Sequence, residues 1–283
     1  MADVSAADVK RLREKTGAGM MECKNALVQT GGDFDEAEKL LKEKGLAAME
    51  KRADRETTAG RVFVEAEGPT AVAVEISSET DFVSRNPDFV ALGEAVAKKA
   101  LAEGASAETP ELVGMVNELA TRIRENMGLR RLVRMTAGDG GYIAKYVHGE
   151  GEIGVLVGLT CEKAGAFDDE ETRAFAFSLA LHVAAFAPLS LDRGRIDPAY
   201  LAEQEDIFRK QMEQDEKLVG KPANVLEGIL KGKLNKHLSD ICLMDQGYVK
   251  DEKMTVAQAI EEQSKRIGGK LAVSGFEYLK VGA

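Results

Sequence analysis

Side chains able to do covalent chemistry are few in this sequence, and none stands at a spacing that such chemistry requires. Acid–base or metal-assisted catalysis needs titratable groups that converge. The chain has three histidines, His148, His182 and His237, and none belongs to an HExxH pair or another metal-ligand pattern. His182 lies within LALHVAAFA, a setting that predicts a core histidine bonded to backbone. His148 falls in an expected hairpin turn, and His237 on a polar helix. Cys23, Cys161 and Cys242 are far apart, with no CxxC pair. An odd, sparse count fits packed thiols in a reducing compartment, here the cytoplasm. No GxSxG nucleophile elbow occurs. The carboxylate runs at 168–171 and 203–206 fit helix starts and solvated faces better than an acid–base pair.

Phosphate binding fails on mechanism. Gly149-Glu150-Gly151-Glu152-Ile153-Gly154 satisfies G-x-G-x-x-G. The dinucleotide motif must end a strand and open a helix, so that the helix N-terminus faces pyrophosphate. Here IGVLVGLT (153–160) is strand-like, and two glutamates occupy the place of the phosphates, so the segment is expected to be a turn. Gly268-Gly269-Lys270 lacks both the upstream glycine and the following Ser or Thr of a Walker A loop. No catalytic residue, metal or cofactor is therefore expected. The chain reads as a protein that works by binding and not as an enzyme.

Charge narrows the partner. The net charge is −10, yet residues 1–55 carry eleven basic and eleven acidic groups, so the deficit lies beyond them. An acidic chain has no electrostatic footprint for duplex nucleic acid or for an anionic membrane. MADVSAADVKRL has no signal-peptide core, and no run approaches the ~18 apolar residues of a membrane span. A protein or a small ligand is the expected partner, without direct nucleic acid or membrane contact.

The elements that must carry any binding surface follow from periodicity. The 283 residues predict two or three compact units. Ser5 with Asp8 is a capping pattern, and Val9 and Leu12 repeat at helical spacing. Thr16-Gly17-Ala18-Gly19 breaks that helix. Met20, Cys23, Leu27 and Val28 stripe a second one, ended by Gly31-Gly32. Phe34, Ala37, Leu40 and Leu41 stripe a third, with Gly45 as its C-cap. So small a core predicts marginal stability. Residues 50–60 resemble a linker. Val62, Val64 and Ala66, then Val72, Val74 and Ile76, alternate across Gly68-Pro69 and predict a β-hairpin with one buried face. Asn86-Pro87 opens a helix to about 102, and Thr109-Pro110 another to about 128. Strands are expected at 129–136, 142–147 and 153–160, and a buried helix at 169–187. A polar helix at 198–219 turns at Gly220-Lys221-Pro222 into a second carrying Leu226, Leu230, Leu234 and Leu238, which suggests an antiparallel helical hairpin. A helix at 256–267 and a strand at 270–279 close the chain. The order predicts an α+β fold with mostly antiparallel pairing.

Phe82 sits where this pattern is ambiguous. It shares the parity of Val72, Val74 and Ile76, so an unbroken strand would bury it. Five polar residues, 77–81, argue instead that the chain has left the sheet for an exposed loop. There an aromatic would be a rigid apolar knob suited to an interface, with Asp81 beside it to accept hydrogen bonds.

Several blocks closely resemble the bacterial elongation factor Ts family, in the same order over nearly the whole chain. They are LREKTGAGMMECKNAL (12–27), TDFV (80–83), LRRLV (129–133), VHGEGEIGVLV (147–157) and HVAA (182–185). The resemblance implies a guanine nucleotide exchange factor that binds elongation factor Tu, displaces its Mg²⁺ and releases GDP during translation. The alternative is a chaperone-like or assembly subunit that holds the same GTPase without accelerating exchange. The resemblance also implies a ubiquitin-associated-like three-helix domain at 1–50 and a linker at 51–60. A core N-terminal subdomain (61–140) would follow, then a core C-terminal subdomain in two parts (141–190 and 241–283) around a coiled-coil-like hairpin (191–240). Thr80, Asp81, Phe82 and Val83 would disturb the partner's Mg²⁺. Thr16, Gly17, Gly19, Met20 and Met21 match the N-terminal docking surface. Because adjacent residues cannot both face one mini-core, one of Met20 and Met21 is a candidate contact; the alternative is one core and one casually exposed methionine. His148 and Gly149 fall in a matched stretch that is equally well a structural turn. The hairpin is expected either to mediate self-association, including a heterotetramer, or to touch the partner. Some members of the family carry a helical module after the last strand, whereas here the sequence stops a few residues past it.

Overall fold

The computed structural model describes residues 4–283; Met1, Ala2 and Asp3, at the start of the expected first domain, lie outside the described residues. The fold is α+β and divides into two compact units. One comprises the chain up to Met135 with Val147–Gly154 and Leu279–Ala283; the other comprises Thr136–Tyr146 and Val155–Tyr278.

The first unit begins with three helices, α1 (Ala6–Thr16), α2 (Met20–Gln29) and α3 (Phe34–Glu50). Ser5 caps α1 by accepting the Asp8 N–H at 3.1 Å, and Gly17 ends it in the left-handed conformation (φ 68°). Val9, Leu12, Cys23, Ala26, Leu27, Ala37 and Leu41 form the small core. Two expectations fail here. Met20 and Val28 do not join the stripe of α2, which buries Cys23, Ala26 and Leu27; Met20 and Val28 are exposed beyond the edge of so small a core. Nor does Gly45 end α3, which runs on to Glu50. A Cβ on Gly45 would lie 2.3 Å from Thr121 Cγ2, so this glycine permits close helix packing and is not a cap.

The chain then forms β1 (Ala59–Glu67) and β2 (Thr70–Ser78), an antiparallel pair joined at Gly68 (φ 57°) and Pro69. After α4 (Asp81–Ser84), α5 (Pro87–Ala102) and α6 (Pro110–Ile123), β3 (Met127–Thr136) completes a sheet of order β1-β2-β3. The expected single buried face is corrected by the register. Val62 pairs with Glu75 and Val64 with Ala73, so these valines lie on the opposite face from Val72, Val74 and Ile76. The face of Val74 and Phe63 packs with Phe89, Val96, Leu112 and Val116 of the helices. The other face is covered too: a Cβ on Gly154 would meet Val62 Cγ1 at 2.3 Å. The fully buried Glu75 pairs with Arg131 (Nε–Oε2 2.5 Å) and accepts the Gly282 N–H at 3.1 Å. Helix α6 stops at Ile123, short of the expected 128, because Arg124 adopts a left-handed conformation (φ 69°) and its N–H caps Ala120 O at 2.8 Å.

The later chain supplies β4 (Tyr142–His148), β5 (Ile153–Cys161), α7 (Glu170–Phe186), α8 (Pro198–Glu213), α9 (Ala223–Ile241), β6 (Gly247–Tyr248), β7 (Asp251–Thr255), α10 (Val256–Ile267) and β8 (Leu271–Lys280). Its main sheet has the order β4-β5-β8, and β6 pairs antiparallel with β7, a small hairpin that periodicity did not reveal. Helix α8 ends at Glu213 and not near 219; Asp215 accepts the Lys217 N–H at 3.0 Å and turns the chain into a short 3₁₀ turn. Of the four leucines spaced along α9, only Leu230 is buried. At the start of α7, Asp169 accepts hydrogen bonds from Arg266 of α10 (2.7 Å) and from Thr172, which hold its carboxyl well below the usual carboxylate range.

His182 is the expected core histidine. It is fully buried, and its Nδ1 accepts the Val249 N–H at 3.2 Å, so Nε2 carries the proton that is donated to Gln246 Oε1 at 2.9 Å. Burial pushes its pKa down, although the Gln246 bond opposes this. The folded state therefore favours neutral imidazole. The stability this contributes is present above the unfolded pKa of about 6.5 and is lost as pH falls from there toward the lowered folded value. Urea midpoints measured between about pH 7.5 and 5 should fall for the parent and fall less for His182→Gln. A second expectation concerns α5, where a Cβ on Gly93 would lie 2.1 Å from the buried Phe63 ring. Gly93→Ala should cost about 1–3 kcal/mol in urea unfolding. Gly114→Ala, on exposed α6 surface with no atom in reach of the new methyl, should gain up to about 1 kcal/mol.

Candidate partner-binding surface

The TDFV segment is built from the end of β2 outward. Ser77 and Ser78 are not loop residues but the buried last residues of the strand, so the expected five-residue polar exit shrinks to Glu79 and Thr80. Strand parity then no longer governs Phe82. Thr80 becomes the N-cap of α4, its Oγ1 accepting the Val83 N–H at 3.4 Å. Within this single turn the four residues divide. Val83 is buried in the core with Val72, Val74 and Phe89, and Thr80 is half-buried and tied inward. Asp81 is exposed, with Arg85 Nη2 at 3.7 Å. Phe82 is 84% exposed, the most exposed large apolar side chain described. The outward half of the motif is thus Asp81 and Phe82, and the inward half anchors them.

The anchoring comes from residues that sequence reasoning missed. Glu125, just beyond α6, accepts both the Thr80 N–H (3.1 Å) and the Thr80 hydroxyl (2.7 Å). Glu79 accepts the Asn126 N–H at 2.5 Å, and the Asn126 amide donates to Ala53 O and Arg55 O. On the other side, Arg61 Nε donates to Ser84 O at 2.6 Å. These partners are separated from TDFV by tens of residues, and no local pattern signals them.

The Thr16–Met21 turn belongs to the same unit. Thr16 Oγ1 donates to Leu12 O at 2.7 Å, which ties it to its own helix. Gly17 has a structural reason to be glycine beyond its conformation, since a Cβ there would meet Arg122 Cγ at 2.3 Å. Gly19 is the N-cap position of α2, and its N–H is taken by Glu22 Oε2 at 3.0 Å. The same carboxylate pairs with Arg124. The spacing of Gly19 and Glu22 was the one local signal available for this link. Met20 and Met21 are 44% and 64% exposed, so neither is a core residue, and the alternative of one buried methionine is overturned.

His148 is the exposed last residue of β4, and Gly149 to Gly151 form a tight turn with positive φ throughout (57°, 55° and 103°). β5 follows directly, so the glycine motif opens a strand and not a helix. Glu150 Oε2 lies 3.4 Å from Arg61 Nη2, the residue that also holds Ser84. The three candidate segments are therefore linked through named side chains of one unit. Arg61 joins TDFV to the 149–151 turn, while the Arg124-Glu125 pair joins TDFV to the start of α2.

A cleft of about 760 Å³ lies beside α3 and α6, and of its cations Lys15, Arg55, Arg122 and Arg124 are already paired with Glu38, Glu79, Asp88 and Glu22. Among the described residues no group of three His, Cys, Asp or Glu side chains is placed to hold a metal ion, and no helix is long and apolar enough to cross a membrane. Cys23 and Cys242 are buried, which pushes both thiols up; neither is poised as a thiolate.

Comparison with known proteins finds relatives over the whole chain. The family model described as "Elongation factor TS" matches residues 79–283. A curated "Elongation factor Ts" of Treponema denticola is 47% identical over 280 residues, 99% of each chain. Those of Borrelia garinii subsp. bavariensis and Borreliella burgdorferi are each 41% identical over 283 residues, the full length of both chains. The TDFV turn, the TGAGMM turn and the 149–151 turn thus sit in a chain that belongs to the elongation factor Ts family.

Proposed function

We propose that this chain is a guanine nucleotide exchange factor for elongation factor Tu, and that Phe82 is the wedge that opens the partner's nucleotide site. The observation that carries the proposal is a phenylalanine 84% exposed on a turn whose backbone is fixed from both ends. An aromatic ring left in water at a fixed position is the type of group that anchors interfaces. Family membership supports the partner and the exchange role.

In this proposal the ring enters between elements of the partner's GTPase domain and shifts the segments that hold Mg²⁺ and the β-phosphate. Mg²⁺ demands near-ideal octahedral coordination, so small displacements of its supports weaken it strongly. Loss of that charge loosens the diphosphate. Asp81, exposed beside the ring, accepts hydrogen bonds from partner donors. Met20 and Met21 supply a second, adaptable apolar contact with the nucleotide-binding domain. The chain itself forms and breaks no covalent bond. It works because it binds empty partner more tightly than nucleotide-bound partner, since equal affinity would shift nothing. Linkage then requires GDP or GTP to drive the complex apart by the same factor.

Stopped-flow release of a fluorescent GDP from purified elongation factor Tu tests the proposal. Catalytic amounts of the chain should accelerate release, and Phe82→Ala should remove roughly 2–4 kcal/mol of coupling, the range of an aromatic hot spot. Stoichiometric binding without acceleration would instead indicate an assembly or holding subunit. A Phe82→Ala variant as fast as the parent would refute the wedge.

A further inference from the structure

Resting on the exchange-factor reading, we propose that Glu125 is a positioning residue for Phe82: its carboxylate fixes the turn that presents the ring, without itself meeting the partner's nucleotide site. The need for such a residue follows from the ring's exposure. With 84% of its surface in water, Phe82 has little packing to set its direction, so the backbone of α4 must do so. Four residues of helix have no stability of their own, because nucleation is unfavourable and both ends leave backbone groups unpaired.

Glu125 resolves the N-terminal end. One carboxylate oxygen takes the Thr80 N–H at 3.1 Å, and the other takes the Thr80 hydroxyl proton at 2.7 Å. Committing that proton to Glu125 turns the lone pairs of Oγ1 toward the Val83 N–H, the capping bond of the turn. A carboxylate accepts at both oxygens and so takes the N–H and the O–H together. Glutamine could keep the first bond and reverse the second, its N–H₂ donating to Thr80 Oγ1, so the test removes both acceptors with alanine.

Glu125 is itself held from both sides. Arg124, in a left-handed conformation (φ 69°), pairs with Glu22 of α2. Asn126 gives its N–H to Glu79 Oε1 at 2.5 Å and its side-chain amide to Ala53 O and Arg55 O at 3.1 and 2.7 Å. A non-glycine residue in that conformation persists where its surroundings over-determine it. The result is a fixed carboxylate facing the cap of a fixed turn.

The test is a double-mutant cycle read by stopped-flow GDP release from elongation factor Tu, with the chain titrated to saturation. Glu125→Ala should lower the saturated release rate roughly tenfold, within the range of site-to-site couplings, with little change in the half-saturating concentration. In a Phe82→Ala background the same substitution should cost nothing further, because a residue acting through Phe82 has nothing left to position. Thr80→Val, which removes the hydroxyl held by Glu125 together with the cap it gives Val83, should lower the rate as well and guards against misfolding of the Ala variant. Circular dichroism of each variant establishes that it is folded. A parental rate for folded Glu125→Ala and Thr80→Val, or an equal loss with and without Phe82, would overturn the positioning role alone. A parental rate for Phe82→Ala would overturn the wedge and the positioning role together, whereas no acceleration by the parent chain would overturn the exchange reading itself.

Discussion

The two hydrogen bonds between Thr80 and Glu125 are the constraint on which the candidate surface depends. Strand β2 arrives at Ser78 buried on both faces, and its alternation, simply continued, would bury Phe82. The Thr80 cap instead converts the chain into one helical turn, so that Val83 enters the core and Phe82 leaves it. Exposing a phenylalanine forgoes on the order of 2 kcal/mol of burial, and the loss is tolerable because the turn's other bonds and the packing of Val83 are satisfied. The arrangement suits binding: the apolar area is left available for a partner, on a turn whose backbone is already ordered before contact.

Support for that turn extends outward through the first unit. The sheet beneath it is closed on its second face by 147–154 and by the end of the chain, where the buried Glu75 gathers Arg131 and the Gly282 N–H. Removing either partner would leave a buried carboxylate short of donors, a costly state. The helical bundle, whose core among the described residues has seven buried side chains, leans on α6 through glycines that admit Thr121 and Arg122 at close range. Elements too small to stand alone thus hold one another and keep the exposed Met20, Met21 and Phe82 on a common framework.

Much of this was legible in the residues where the signal was local. Asn86-Pro87 announced α5, the alternation at 153–160 announced β5, and His182 among alanines and leucines announced a buried imidazole. Position 45 misled because a glycine needed for close packing has the same letter as a glycine needed for a cap. Arg124 misled because nothing in the sequence marks an arginine that will take a left-handed conformation. The hairpin's two valine alternations lie on different faces because a face is fixed by register, and the two-residue turn puts Val62 opposite Glu75. Phe82 could not be decided by parity, since its exposure depends on a carboxylate 43 residues away in sequence. TDFV stood out only through family resemblance, and its supports, Glu125, Arg61 and Asn126, were illegible because they are long-range.

The central claim is that the Phe82 ring passes from water into elongation factor Tu when nucleotide leaves. A single 4-fluorophenylalanine at position 82, followed by fluorine NMR, reports that passage directly. The free chain should give a narrow, solvent-exposed resonance. Nucleotide-free elongation factor Tu should shift and broaden it, and excess GDP with Mg²⁺ should restore the original signal. A resonance that stays unchanged while the complex demonstrably forms would contradict the account.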